Sequence, residues 1–186
     1  KQASFNCCGF NLAYRDIRVG VFGAGHVSKN ASILALYLLP FGINDAYEQA
    51  FVPINWANFT RAWLTQPQSD ALGVMNNGEL AGYGVIRKCQ NGFKIGPLFA
   101  DSPELAESLF LALKSKASAS DAIFLDTPEI NQAAVALAQK YNMQVSFETA
   151  RMYTGECPNL PLNRIFGVTS FEIGWVYWVE WFNGCA

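Results

Sequence analysis

The spacing of hydrophobic and polar positions changes several times along this chain of 186 residues. Between residues 82 and 154, two strand-like runs are each followed by a run with helical spacing. A turn that combines a carboxylate with a proline lies at each junction, in residues 101–103 and 126–128. Because apolar residues recur with period two in strands and with period 3.6 in helices, this segment is predicted to fold as strand–helix–strand–helix–strand.

The two predicted helices carry clear start signals. Ser102 is a good N-cap, and Pro103 occupies the first helical position, where its missing N–H costs nothing. The second helix is predicted from Asn131 to Tyr141. The other predicted helices are 31–39, which ends at Pro40, and 44–64, which Pro53 interrupts.

The predicted strands are short. Asn76-Asn77-Gly78 is a hairpin signal between two of them. Gly82 and Gly84 inside the second strand of this hairpin indicate a bulge or a close backbone approach. The strands are predicted at 10–19, 71–75, 80–88, 93–99, 123–125, 143–147, 149–153 and 164–173.

Composition restricts the classes of function. Half of the residues (51%) are apolar and 15% are charged, so one domain with a substantial core is predicted. A net charge of −2 gives no electrostatic case for a nucleic-acid partner. The longest apolar run, 33–43, is broken by Pro40 and is too short to cross a bilayer, and no signal-peptide pattern is recognised. No membrane partner is therefore predicted.

The five cysteines are odd in number, and no two have the spacing of a zinc site. They are predicted to be free thiols in a reducing, cytoplasmic compartment, with no bound metal. His26 is the single histidine, and it lies in a weakly patterned segment, which argues against a histidine-based catalytic centre. Gly23 and Gly25 resemble the start of a dinucleotide-binding loop, but Ser28 replaces the third glycine. A glycine-rich linker is the preferred interpretation, and a nicotinamide site ranks far below it.

Four phrases in order carry a family resemblance: GYGVIRKC at 82–89, GFKIGPLFAD at 92–101, ETARMYTG at 148–155 and NRIFGVTSFEIG at 163–174. With these phrases the chain resembles the GNAT superfamily of acyl-CoA-dependent N-acetyltransferases, and more narrowly the second domain of a family with two such domains in tandem. The resemblance implies an α/β (α+β) fold with a mixed, mostly antiparallel sheet and helices on both faces. The phrase GFNLAYRDIRV at 9–19 resembles the end of a preceding domain. The predicted division is a remnant of that domain at 1–20, a linker at 21–43, the GNAT-like domain at 44–174 and an atypical aromatic tail at 175–186.

The resemblance implies acetyl-CoA as co-substrate. Its pantetheine arm is expected beside the end of the 93–99 strand, and its pyrophosphate is expected on amides at the following helix start, where free N–H groups favour an anion. Asn131 matches a position that often contacts the arm, although it is equally readable as a helix N-cap. The implied cofactor-binding residues are Leu98, Phe99, Ala100, Ser102, Glu104, Leu105 and Asn131.

The chain departs from the family pattern in this loop. Asp101 stands at the usual basic position, and Glu104 and Ala106 stand at the two glycines. Two carboxylates would repel a pyrophosphate beside them. The alternative interpretation is that Asp101 and Glu104 are negative charges at the N-terminus of the helix, where they stabilise it.

The acid and the base of the reaction have no firm candidates. Ala138 occupies the position of the general-acid tyrosine, with Asn142 and Met143 in place of the usual glycine and phenylalanine. Tyr141 is judged unable to substitute, and Tyr153 stays open as an acid. The candidate bases are Asp126, Glu129 and Glu148, each of which is also readable as an ordinary turn or strand-end carboxylate.

The preferred function is acetyl transfer from acetyl-CoA to an amine on a small molecule or peptide. The alternative is a catalytically silent GNAT-fold module that supports a partner domain or a dimer. A preceding GNAT domain or a second copy is the predicted protein partner. Trp56, Phe59 and Trp63 are candidates for an acceptor wall, although aromatic residues at helical spacing also suit a core.

Overall fold

The computed structural model describes residues 7–23, 32–52 and 56–171. Eight strands form one sheet: β1 Asn11–Phe22, β2 Ser32–Ala35, β3 Ser69–Asn76, β4 Glu79–Lys88, β5 Phe93–Ala100, β6 Ala122–Pro128, β7 Gln144–Tyr153 and β8 Ile165–Gly167. Within the described residues, four helices accompany it: α1 Phe41–Glu48, α2 Ala57–Leu64, α3 Pro103–Lys114 and α4 Gln132–Lys140. Short 3-10 turns occupy Leu36–Leu38 and Leu162–Arg164.

The sheet runs in the order β2-β3-β4-β5-β6-β1-β7, and β8 pairs with β5 outside this path. Among the described strands, only β5 and β6 pair in parallel, and the other pairs are antiparallel. The predicted fold class, a mostly antiparallel mixed sheet, is therefore confirmed.

Two hydrophobic clusters lie on the two faces of the sheet. Leu98 belongs to the cluster beneath α3 and α4, which includes Leu109 and Leu137. Phe99, the next residue along β5, belongs to the opposite cluster with Phe51 and Tyr83. Successive side chains of a strand point to opposite faces, so this alternation places helices on both sides of β5, as predicted.

Several local predictions are confirmed by the backbone. Asn77 and Gly78 both have positive φ, at 51° and 85°, which is the geometry of a tight hairpin turn. The hydroxyl of Ser102 accepts a hydrogen bond from the amide of Leu105, so Ser102 caps α3 as expected. A Cβ on Gly82 would lie 2.8 Å from the carbonyl oxygen of Phe99, which explains the glycine by close backbone approach.

Other element predictions need correction. The 31–39 run is not a helix: Ser32–Ala35 pairs with β3 as an edge strand before the first 3-10 turn. The predicted 44–64 helix is two helices, α1 and α2, on either side of Pro53. The two strands predicted within 143–153 are one continuous strand, because all of β7 follows the long β1. The last strand ends at Gly167 within the described chain.

The segments outside the predicted 44–174 domain also contribute to the sheet. β1, predicted as a remnant of a preceding domain, lies between β6 and β7 and pairs with both. β2, within the predicted linker, extends the opposite edge. The origin of β1 stays a prediction, but its place is inside this sheet. The aromatic tail and His26 lie outside the described residues, as do Gly25 and Ser28.

Candidate active site

The family resemblance places a cofactor arm beside the end of β5, at the cleft between β5 and β6. These parallel strands pair through only three positions, of which the last joins Ile95 to Leu125. Beyond it, β5 pairs instead with β8, through Leu98 with Gly167 and Phe99 with Ile165. The two strands diverge here, and β8 fills the space between them.

The predicted cofactor residues of β5 are fully buried. Leu98, Phe99 and Ala100 each have 0% exposure. Asn131 accepts hydrogen bonds from the amides of Ala133 and Ala134 through its Oδ1 atom, so it is the N-cap of α4. Its Nδ2 atom donates to the carbonyl of Ile165 at 2.8 Å. The structure brings Leu98, Phe99 and Asn131 together around β8, and their role toward a cofactor stays a prediction.

The other predicted cofactor residues lie at the start of α3. Pro103 has no N–H, and the amide of Leu105 is bonded to the Ser102 hydroxyl at 3.3 Å. The amide of Asp101 donates to the carbonyl of Ala81. Glu104 is exposed, and a hydrogen bond from Ser102 lowers the pKa of its carboxyl. This helix start therefore offers few free donors and a nearby negative charge to a pyrophosphate.

Asp101, at the usual basic position of this loop, is held by two residues from distant segments. Its Oδ1 atom accepts hydrogen bonds from the Tyr47 hydroxyl at 2.8 Å and from Arg164 at 2.9 and 2.6 Å. The guanidinium of Arg164 also lies over the ring of Phe51, 4.8 Å from its centroid. Burial and the bond to Asp101 raise the pKa of Tyr47. This pairing is not visible in the sequence, because Arg164 follows Asp101 by 63 residues.

The three candidate bases have different surroundings. Asp126 is fully buried and accepts hydrogen bonds from Arg18 at 2.7 and 3.0 Å, and it also contacts the ammonium of Lys94. Glu129 accepts a hydrogen bond from the amide of Arg15 at 3.0 Å on the surface. Glu148 lies 3.7 Å from the guanidinium of Arg15, with half of each side chain exposed. Asp126 is thus a paired structural carboxylate, whereas the other two lie beside Arg15 of β1.

The two tyrosines considered for the acid lie in different places. Tyr153 is buried at the end of β7, which β6 and β1 separate from β5, and burial raises the pKa of its hydroxyl. Tyr141 donates to the carboxylate of Glu107 on α3, and its ring packs on Phe110. Burial and the bond to Glu107 raise the pKa of Tyr141 to about 12. Tyr141 therefore contacts α3, and its exclusion as the acid stays a prediction.

Two buried acids were missed by the sequence analysis. Asp16 on β1 is 1% exposed and binds Arg151 at 2.8 Å, and burial raises the pKa of its carboxyl. Glu48 at the end of α1 is 6% exposed and accepts a hydrogen bond from Tyr83 at 2.9 Å. Burial likewise raises the pKa of Glu48. No sequence signal marks them, because each lies among charged or polar residues, in YRDIR and in NDAYEQ.

Aromatic residues at the start of α2 and within it contact one another as far as the cleft. Ring centroids lie 5.2 Å apart for Trp56 and Phe59, and 5.6 Å apart for Phe59 and Trp63. The indole N–H of Trp63 donates to the carbonyl of Gly96 at 3.0 Å, just where β5 leaves β6. The acceptor wall predicted from these residues stays a prediction. The hydrogen bond to Gly96 also gives Trp63 a structural role.

Within residues 7–23, 32–52 and 56–171, no group of three metal-ligating side chains is found. None of the helices in the described part of the chain is both long and apolar enough to cross a membrane.

Known proteins resemble this chain in sequence and in fold. A family model described as an acetyltransferase (GNAT) domain matches residues 46–167. Holothin acyltransferase from a Pseudoalteromonas species is 26% identical over 102 residues, which are 54% of this chain and 35% of that protein. The chain thus spans about a third of the length of this curated relative.

Solved structures show the same architecture. A protein from Pyrococcus horikoshii assigned to the acetyltransferases superposes with a TM-score of 0.74 at 19% identity, over 91% of this chain and 55% of that one. A GCN5-related N-acetyltransferase from Sphaerobacter thermophilus superposes with a TM-score of 0.53 at 13% identity, over 80% and 54%. The family model covers most of the chain, and with the eight-stranded sheet it leads to one conclusion: the chain belongs to the GNAT acetyltransferase domain family.

Proposed function

We propose that the protein containing this chain transfers an acetyl group from acetyl-CoA to an amine on a small molecule or peptide. The observation that carries the proposal is the family match over residues 46–167. The acyltransferase relative and the GNAT neighbours support acyl transfer at family level, and they favour it over a silent supporting role.

Chemically, the proposed reaction needs three things from the protein. The thioester has to be held, the amine has to reach it without its proton, and the leaving thiolate has to be protonated. Glu129 and Glu148 remain candidates for accepting the proton through water, since both are accessible. Asp126 is a weaker candidate, because Arg18 and Lys94 both contact its carboxylate.

A reducing, cytoplasmic setting is part of the proposal. The four described cysteines, Cys7, Cys8, Cys89 and Cys157, are free thiols, which suits a compartment where thiols stay reduced.

The test is an acetyl-transfer assay that detects released CoA thiol, with a panel of small amines and N-terminal peptides as acceptors. The expected result is CoA release that depends on both the amine and the protein, together with an acetylated product identified by mass. Protein without amine is the control for simple thioester hydrolysis. Folded full-length protein that releases CoA with none of the amines would argue against the proposal.

A further inference from the structure

The space between β5 and β6 is filled by residues 164–171, which we call the strap. Six consecutive strap residues, 165–170, are buried. Phe166 has 0% exposure and belongs to the cluster beneath α3 and α4, whereas Ile165 and Val168 join the opposite cluster. The strap therefore contributes to both halves of the core, like a central strand.

Both sides of the cleft are bonded to the strap through main-chain atoms. On one side, β8 pairs with Leu98 and Phe99 of β5. On the other side, the amide of Val168 donates to the carbonyl of Asp126 at 2.9 Å. Each backbone N–H can donate only one hydrogen bond. The N–H groups that already bond the strap to its neighbours are therefore not available to bond the amides of a pantetheine arm.

Side chains fasten the strap at both ends. Arg164 binds Asp101 beside the start of α3, and Asn131 donates to Ile165. At the other end, the ring of Phe171 lies 4.8 Å from the guanidinium carbon of Arg18, and the ammonium of Lys94 also lies over this ring. The strap thus extends from the expected pyrophosphate position to the ion cluster around Asp126.

Close packing leaves no room beside the strap. A Cβ on Gly96 would lie 2.6 Å from the carbonyl oxygens of both Val168 and Thr169. A Cβ on Gly167 would lie 2.5 Å from the Leu125 side chain. An acyl carrier therefore enters this cleft only if the strap leaves it, which would expose its apolar side chains to water.

We propose that the strap excludes acyl-CoA from the cleft between β5 and β6, and that the acyl donor of the reaction is held outside this cleft. The inference rests on the proposed function only for the identity of the donor. It concerns the location of the donor, so the protein remains an acyltransferase if the inference fails.

The first test is hydrogen exchange on the 186-residue chain with and without acetyl-CoA, followed by mass spectrometry of peptides that cover 93–100 and 164–171. Acetyl-CoA up to roughly 1 mM, the upper end of ordinary substrate affinities, is expected to leave exchange of both peptides unchanged. A saturable change in either peptide would place the carrier in the cleft and overturn the proposal. Binding that changes only other peptides supports it.

A second test asks whether the strap is fastened as the contacts indicate. Asn131→Ala removes the bond to Ile165 together with the cap of α4, whereas Ser102→Ala removes the cap of α3 and the hydrogen bond to the exposed Glu104 but leaves the bond to Ile165 in place. Exchange of the 164–171 peptide, relative to a peptide from β3, is expected to rise about tenfold more in Asn131→Ala, as for the loss of one buried hydrogen bond. Equal exchange in the two variants would contradict the fastening.

The two proposals fail in different experiments. Acetyl-CoA that alters exchange in the strap would overturn the exclusion while it supports the proposed function. A full-length protein that acetylates no amine would count against the function, and the exchange results on the strap would stand.

Discussion

Removal of the Phe166 ring is the sharpest test of whether the strap is part of the core. Phe166 is fully buried among the side chains that face α3 and α4. The Phe166→Ala substitution loses the transfer free energy of the ring and leaves a cavity, which together cost about 3–5 kcal/mol for a buried phenylalanine. A domain of ordinary stability has about 5–15 kcal/mol in total, so this change removes a large fraction of it. The midpoint of thermal unfolding is expected to fall by about 6–20 °C, given about 2–4 °C per kcal/mol at this size.

Urea unfolding followed by tryptophan fluorescence measures this loss directly. The midpoint concentration should fall while the dependence of the free energy on urea stays the same, as for a folded-state packing defect. Phe22→Ala is the matched control, because the Phe22 side chain is 71% exposed and surface changes stay within about 0.5 kcal/mol. A loss below about 1 kcal/mol for Phe166→Ala would refute the reasoning, since it would fit a loosely attached lid.

Three other predictions use the same unfolding assay. The Gly96→Ala variant should lose about 1–3 kcal/mol, because the new methyl group meets strap carbonyls that cannot move freely, whereas Gly155→Ala, with nothing within 4 Å of its Cβ, should lose almost none. Burial raises the pKa of Glu48 above its ordinary 4.5, so the folded state holds this proton more tightly, and its stabilising contribution is lost as pH rises from 4.5 through the folded pKa. Glu48→Gln should therefore gain stability relative to wild type across that range, and a parallel pH dependence of the two proteins, or the same gain in the exposed Glu79→Gln control, would contradict this. Asn131→Ala should lose about 1 kcal/mol or more through its missing cap, and Asn131→Ser should recover part of it; equal losses would mean that capping is not the cause.

Local features of this fold could be read from the sequence because they depend on neighbouring residues. Positive φ at Asn77 and Gly78, and the cap that Ser102 gives α3, follow from side-chain size and hydrogen bonding within a few positions. Ser32–Ala35 was predicted as part of a helix because its strand character comes from pairing with β3, which starts more than thirty residues later.

The candidate site was less predictable. The sequence supports a cap role for Asn131, but its bond to Ile165 is not visible there, since the two residues are 34 positions apart. The phrase that contains the strap, NRIFGVTSFEIG, helped to indicate the family. Its position in the cleft was not expected, because an apolar strand shows no preference for one free sheet edge over another.

By itself, the sequence determined the family, the alternation of strands and helices, and the start of α3, all of which depend on short-range pattern. Only the tertiary structure decided which strand lies beside which, that β1 belongs inside the sheet, and that Arg164 neutralises Asp101. It also decided that the strap fills the cleft. These features depend on contacts between residues far apart in the sequence. The chain buries the apolar segment that best fits an exposed sheet edge, and a local sequence pattern does not show which segment that is.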